Sequence, residues 1–172
     1  MTDDSIIPQP ALLVIGYGNT LRQDDQAGPL VAERIESCAL PGVRALVCAQ
    51  LSPEHAEAVA HARAVVFVDA QAGPARAAGL QQVLPGESSQ VTTHAAEPRT
   101  LLALARDVYA QVPPAWLLTI PAERFEFGTD LSPLTQQGIE AAVLMVAIIY
   151  MVSNLIADIV VALLNPRIRK GG

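Results

Sequence analysis

Residues 11–30 read ALLVIGYGNTLRQDDQAGPL and carry the clearest signals of secondary structure in this chain. The stretch begins with five apolar residues, turns at two closely spaced glycines and reaches an acidic pair, Asp24 and Asp25. A short continuous apolar run that ends at a glycine is typical of a buried strand in a parallel sheet. Pro29 suits the first turn of a helix, where its missing N–H costs little. The stretch therefore predicts a strand, a tight loop with two carboxylates, and a helix over 28–37.

The rest of the chain repeats this alternation. Strand-like runs are predicted at 43–49, 64–69, 79–84 and 115–120, and helix-like runs at 53–62, at 97–111 and from Ser132 onward. Strands that alternate with helices indicate an α/β protein. The predicted architecture is a three-layer α/β/α sandwich with a mostly parallel five-stranded sheet and a long apolar C-terminal helix.

Composition narrows the class of protein. A chain of 172 residues with a net charge of −6 favours a single domain and disfavours nucleic-acid binding. Cys38 and Cys48 lack the spacing of a zinc site or a disulfide framework, and we expect small buried side chains. The acidic start of the chain has no apolar core of a secretory signal, so a cytoplasmic protein is expected.

Three polar residues each follow a strand-like run: Asp25, Asp69 and His94. In an open α/β sheet, chemistry gathers at the carboxyl ends of parallel strands, where two carboxylates and an imidazole could hold a divalent metal ion. Simpler interpretations remain open at this point. An aspartate can cap a helix or anchor a loop, and a single histidine is often an ordinary loop residue.

The sequence lacks the motifs of several enzyme classes. The pattern of two glycines after the first strand lacks the third glycine of a dinucleotide-binding loop, because Leu21 stands in its place. The chain has no Gly-x-Ser-x-Gly nucleophile elbow, no His-Glu-x-x-His helix and no phosphate-binding P-loop. Serine-hydrolase, zincin and nucleotide-dependent mechanisms are therefore disfavoured.

The pattern Gly-x-Gly-Asn-x-Leu-x-x-Asp-Asp-x-x-Gly over residues 16–28 resembles the opening motif of the hydrogenase maturation endopeptidases. Val68-Asp69-Ala70 is similar to that family's second motif, and His94 before a leucine-rich helix is similar to its third. Residues 125–128 and 131–133 resemble its closing signature. The resemblance covers about residues 11–138. Gln26 departs from it, because the family usually has glycine there.

The resemblance implies an α/β endopeptidase that removes the C-terminal extension of a nickel–iron hydrogenase large-subunit precursor after nickel insertion. It implies that Asp25, Asp69 and His94 are both the metal ligands and the catalytic residues. The metal would be nickel carried by the precursor, or another divalent ion at the same site. Hydrolysis could use a metal-polarised carbonyl, a metal-bound water, or an aspartate as general base, and the residues do not decide among these.

The end of the chain does not match this family. Residues 141–164, AAVLMVAIIYMVSNLIADIVVALL, carry one charge, Asp158, and exceed the length that spans a bilayer core. Residues 141–172 resemble the last membrane helix and tail of peptide/nickel transporter permeases. We therefore divide the chain into an endopeptidase domain, 1–140, and an apolar helix with a basic tail, 141–172. The helix is either a membrane segment or a helix packed on the domain. The alternative function is a membrane-anchored or transporter-derived fusion with an inactive soluble part.

Overall fold

The computed structural model describes residues 10–87 and 97–164. His94 lies outside these ranges. The helices and strands are β1 (Leu12–Tyr17), α1 (Ala27–Ser37), β2 (Val43–Cys48), α2 (His55–Ala60), β3 (Val65–Ala72), β4 (Gly79–Val83), α3 (Pro98–Tyr109), β5 (Ala115–Ala122) and α4 (Pro133–Leu164). A 3₁₀ turn, Gln23–Gln26, precedes α1.

The strands form one sheet in the order β2-β1-β3-β5-β4. β1, β2, β3 and β5 run parallel to one another, and only β4 is antiparallel, at the edge of the sheet beside β5. The predicted mostly parallel five-stranded sheet is therefore confirmed. Because β1 and β3 lie side by side near the centre of the sheet, the loops that follow them meet at the carboxyl ends of the strands.

Both faces of the sheet are covered by helices. Alternate residues of β1 point to opposite faces: Leu13 and Ile15 pack with α2 and α3, whereas Leu12 and Val14 pack with α1 and α4. All four of these side chains are buried. A strand that is buried on both sides needs a continuous apolar run, which explains the sequence that opens β1. The three-layer sandwich is confirmed.

The helix α4 begins where the sequence predicts. The buried Ser132 is its capping residue, because its Oγ accepts a hydrogen bond from the backbone N–H of Thr135 at 3.2 Å. The first half of α4 belongs to the core, since Ile139, Ala142 and Val146 have no exposed surface. The division at residue 140 thus falls inside a single continuous helix whose next turn still packs on the sheet.

The outer side of α4 is apolar and exposed. Six large hydrophobic side chains there are between 45% and 61% exposed: Leu144, Ile148, Met151, Val152, Leu155 and Ile159. By length and composition alone Pro133–Val152 suffices to cross a membrane, but buried helices of soluble proteins meet the same criterion. A hydrogen bond also ties α4 to the domain, because the Tyr150 hydroxyl donates to the Pro41 carbonyl at 2.9 Å.

The two cysteines are not core residues. Cys38 follows the end of α1 and is exposed, and Cys48 is half-buried at the end of β2. The expectation of small buried side chains is therefore wrong for Cys38, because α1 ends at the surface.

Candidate active site

Asp25 and Asp69 lie at the same edge of the sheet. Gly16, near the end of β1, pairs with Val68 of β3, and Asp69 is the next residue along that strand. Asp25 lies in the 3₁₀ turn after β1, and its charge raises the pKa of Asp69, so the two carboxyl groups interact. β3 continues to Ala72, three residues beyond the predicted strand end. The structure thus brings together two of the three predicted residues.

The loop after β1 is folded onto Asp25 through Gly18 and Asn19. Gly18 has φ of +144°, and a Cβ there would collide with the Asp25 carbonyl. The backbone N–H of Asn19 donates to Asp25 Oδ2 at 3.1 Å, while Asn19 Oδ1 accepts from the N–H of Leu21 at 2.9 Å. Asparagine favours such local turns. The Gly-Asn pair therefore sets the direction of the Asp25 carboxylate.

The start of α1 lies directly against the ends of β1 and β3. This approach requires glycine at residue 28, because a Cβ on Gly28 would collide with the carbonyl oxygens of Tyr17 and Val68. Any larger residue would push α1 away from the sheet. Since the turn with Asp25 leads directly into α1, Gly28 also keeps Asp25 close to Asp69.

Asp69 is half-buried, and its pKa is raised to about 6. Burial is the main cause, and the nearby charge of Asp25 adds to it, whereas hydrogen bonds from the Tyr17 hydroxyl and the Ala70 N–H act in the opposite direction. With a pKa about 6, the carboxyl is mostly ionised at neutral pH and can still take up a proton readily. The group can therefore bind a cation or accept a proton from water.

Tyr17 is a site residue that the sequence analysis did not predict. Its hydroxyl donates to Asp69, and burial together with the Asp69 charge raises the pKa of Tyr17 far above its usual range. The phenol therefore remains a hydrogen-bond donor at neutral pH. Its position between the two glycines at the end of β1 was the available signal, but the partner carboxylate lies on another strand.

Asp24, next to Asp25, has a different role. It is fully buried, and its two carboxylate oxygens accept backbone N–H bonds from Glu123, Arg124 and Ser132 at 2.9, 2.9 and 2.7 Å. Burial would raise the pKa of Asp24, but these hydrogen bonds outweigh it and hold the pKa below its ordinary value. Asp24 thus fastens the loop between β5 and α4 to the turn that carries Asp25.

Gln26, the departure from the family pattern, fits the same arrangement. Its backbone is helical, with φ of −77° and ψ of 0°, so the position does not require glycine. Its buried side chain donates from Nε2 to the Thr129 carbonyl at 2.8 Å. Gln26 therefore gives the loop a second attachment beside Asp24.

The third predicted ligand, His94, lies outside the described residues. Glu97, just after that gap, occupies the N-cap position of α3 without a side-chain capping hydrogen bond. Within residues 10–87 and 97–164, no three His, Cys, Asp or Glu side chains are grouped as a metal site. The described part of the site therefore consists of the two carboxylates and the Tyr17 hydroxyl. Carboxylate oxygens bind hard and borderline divalent cations.

A cavity of about 510 Å³ opens beside Tyr17 on the α3 side of the sheet. Its wall is formed by β4, β5 and the start of α3, with the lining residues Tyr17, Gln81, Gln82, Val83, Leu84, Glu97, Pro98, Arg99 and Leu117. The cavity contains both apolar side chains and polar amides. It has the size and composition to receive a few residues of an extended peptide.

Several solved structures with a similar fold are hydrogenase-processing enzymes. The hydrogenase maturating endopeptidase HybD from E. coli aligns with a TM-score of 0.65 and 20% identity, covering 83% of this chain and 93% of that chain. The [NiFe] hydrogenase maturation protease HycI from Thermococcus kodakarensis gives 0.63 and 24%, covering 83% and 94%. The hydrogenase 2 maturation peptidase from a Thaumarchaeota archaeon gives 0.58 and 23%, covering 78% and 94%.

These similarities confirm the predicted resemblance at the level of the fold. No protein-family model and no curated protein sequence matches the chain.

Proposed function

We propose that this chain is an endopeptidase that removes the C-terminal extension from the large-subunit precursor of a nickel–iron hydrogenase. The observation that carries the proposal is the pair Asp25 and Asp69, held together at the carboxyl edge of a fold that hydrogenase maturation proteases share. A protein of this fold with a pair of interacting carboxylates and an adjacent peptide-sized cavity has the parts that peptide hydrolysis needs.

The substrate brings the nickel in this proposal. Asp25 and Asp69, joined by His94, bind the nickel that the precursor already holds and so recognise a loaded precursor. Oxygen ligands with a nearby imidazole suit a divalent first-row ion. The raised pKa of Asp69 fits this role, because a cation would relieve the repulsion between its carboxylate and that of Asp25.

The Asp69 carboxylate also supplies the means of hydrolysis. Asp69 is mostly ionised at neutral pH and acts as the general base that takes a proton from the attacking water. The water oxygen then bonds to the carbonyl carbon, the carbon–nitrogen bond breaks, and the proton passes to the leaving amine. Tyr17 orients Asp69 through its hydroxyl hydrogen bond.

Intact-mass analysis of a nickel-loaded large-subunit precursor tests this function. We expect the wild-type protein to remove a C-terminal peptide and Asp69→Ala to leave the precursor unchanged. The nickel-free precursor is the matched control for metal recognition, and we expect it to stay intact. Cleavage of both precursor forms at equal rates would contradict nickel recognition. No cleavage of either form would favour the alternative, a fusion protein whose soluble domain is inactive.

We further propose that the last part of α4, residues 151–164, contacts a membrane. Its support is the exposed apolar side of the helix and the absence of charged residues over 141–157. The 14 residues from Met151 to Leu164 extend about 21 Å at the α-helical rise, which is shorter than a bilayer core. The contact would therefore be partial insertion from one side while the domain stays folded. Flotation with phospholipid vesicles tests it, and a protein that stays entirely in the dense fraction would contradict it.

A further inference from the structure

Two exposed apolar side chains, Leu21 and Phe127, lie beside the candidate active site. Phe127 is 86% exposed, more than any other large hydrophobic side chain in the described ranges, and Leu21 is 63% exposed. We refer to these two side chains as the apolar ridge. Single exposed hydrophobic residues are common on protein surfaces, so the ridge has meaning only if the structure holds it in place.

The backbone under the ridge is fixed by long-range hydrogen bonds. The N–H of Gly128 donates to the Leu21 carbonyl at 3.0 Å, and the N–H of Gln23 donates to the Gly128 carbonyl at 2.8 Å. These bonds join the turn before α1 to the loop between β5 and α4 as a parallel bridge. The two loops therefore present the ridge as one unit.

Arg22 supports the ridge from the side. Its Nε donates to the Phe125 carbonyl at 3.0 Å, and its guanidinium carbon lies 6.0 Å from the centre of the Phe127 ring. That distance is at the limit of a cation–π contact. An aromatic ring that is already held in position loses less conformational entropy when it binds a partner.

The ridge is connected to the active-site carboxylate through Asn19. The Asn19 side chain accepts from the N–H of Leu21, and the Asn19 N–H donates to Asp25. The same segment is strained, because Gln23 has φ of +37°. Its Oε1 is buried and has no hydrogen-bond partner within the described structure. Strain and unsatisfied polar atoms of this kind are concentrated at functional sites.

We infer that the apolar ridge binds an apolar segment of the polypeptide substrate next to the peptide bond that is cut. This inference rests on the proposed function, because a polypeptide that reaches Asp25 must cross the neighbouring surface. Rigid aromatic side chains at such positions supply much of the binding energy of protein contacts. The exposed charges beside the ridge are mixed, with Glu126 and Asp130 balancing Arg22 and Arg124, so they form no basic patch for an anionic lipid surface.

Steady-state processing of the nickel-loaded precursor tests the inference. We expect Phe127→Ser to raise KM about tenfold and to leave kcat nearly unchanged, because the ridge contributes to binding and not to the chemical step. Phe127→Leu keeps an apolar side chain and should restore most of the loss. Val108→Ser is the matched control, since Val108 is 65% exposed on α3 and is not at the site.

Three results would separate the possible failures. If wild type processes the precursor and Phe127→Ser has the same KM, the ridge is not a substrate contact. If Phe127→Ser lowers kcat with KM unchanged, the side chain acts on the chemical step and the inference is also wrong. If wild type neither binds immobilised precursor nor cleaves it, the proposed function is wrong and the ridge loses its partner.

Discussion

Two neighbouring acidic residues, Asp24 and Asp25, show how strongly the surroundings determine a side chain's role. Asp24 is fully buried and satisfied by three backbone N–H groups, whereas Asp25 is partly accessible and faces Asp69. From the sequence, either residue could have capped the helix that follows. The structure assigns loop attachment to Asp24, and the chemical role of Asp25 stays a prediction.

Asp24→Ala should mainly lower the stability of the fold, whereas Asp25→Ala should mainly abolish precursor cleavage. Asp24→Ala leaves three backbone N–H groups without an acceptor, and we expect it to lower the free energy of unfolding by about 3 kcal/mol or more. Asp25→Ala should change that free energy by less than about 1 kcal/mol and abolish precursor cleavage. Urea denaturation followed by circular dichroism, together with the processing assay, checks both. Equal destabilisation by the two variants would contradict the assignment.

The pKa of Asp69 predicts a pH dependence of processing. The protonated carboxyl neither binds a cation nor accepts a proton, so kcat/KM should rise with pH through about 6. The Tyr17 hydrogen bond favours the ionised form, and Tyr17→Phe should therefore shift this rise to higher pH. Tyr109→Phe, at the distant end of α3, is the control and should leave the profile unchanged. An unshifted profile for Tyr17→Phe would mean that the group that titrates is not Asp69.

The same raised pKa acts on stability with a defined sign. The folded pKa of Asp69 lies above its ordinary value of 3.8, so the folded state binds the proton more tightly than the unfolded state. The contribution of Asp69 to stability consequently falls as the pH rises through about 6. The effect of Asp24 on stability has the opposite sign, because its pKa is lowered on folding. Its contribution to stability is present when the pH lies above its ordinary pKa and is lost in stronger acid.

Among the structural elements, α4 combines two environments in one helix. Its first half is part of the core between the sheet and α1, and its outer side is exposed and apolar. The composition of residues 141–164 indicated a membrane segment because both sides of the helix are apolar. The sequence alone therefore does not show which side is buried in the domain and which side is exposed. Ala142 and Val146 pack against residues of the sheet and of α1, so this part of α4 belongs to the core of the domain.

A pair of substitutions within α4 should distinguish these environments. Ile139→Ala removes a side chain with no exposed surface, and we expect a loss of about 2 to 4 kcal/mol in the free energy of unfolding. Met151→Ala removes a side chain that is 60% exposed and should change that free energy by no more than about 0.5 kcal/mol. Thermal and urea unfolding measure both. A large loss with Met151→Ala would show that a partner covers the outer side of α4.

Strand ends were harder to predict than strand centres. The apolar run that predicts β3 stops at Asp69, but the strand continues because its last residues pair with Pro121 and Ala122 of β5. Hydrogen bonding to a neighbouring strand does not depend on hydrophobicity, so it leaves no pattern in the sequence. The practical consequence is that Asp69 is held by its pairing with Thr119 of β5, and this pairing continues to Ala72.

At the scale of the whole molecule, the fold should survive without residues 151–172. A chain that ends after Tyr150 retains the buried residues of α4 and the hydrogen bond to Pro41. We expect this shortened protein to fold and to process the precursor within about twofold of the full chain, since the core residues of the described structure all precede Met151. A chain that ends after Ser132 exposes the part of the sheet that α4 covers and should not fold. Loss of processing by the chain that ends after Tyr150 would show that residues 151–172 take part in catalysis.

The sequence predicted the layers of the fold and the positions of Asp25 and Asp69, because both follow from local patterns: apolar runs, glycine turns and polar residues after strands. It did not predict Tyr17 as the partner of Asp69, nor the division of roles between Asp24 and Asp25. These depend on contacts between strands, or between residues about 100 positions apart. Only the assembled sheet brings such residues together.

The attachment of Asp24 to Glu123, Arg124 and Ser132 has a consequence for the order of events during synthesis. These hydrogen bonds span 99, 100 and 108 positions of the chain. Long-range contacts of this kind form late, because loop closure must come first. On the ribosome, Asp25 therefore emerges early but acquires its final surroundings only after most of the protein has been made. A growing chain stalled before residue 123 would carry the carboxylates without the loop that Asp24 holds, so the proposed activity would arise only once α4 begins to dock.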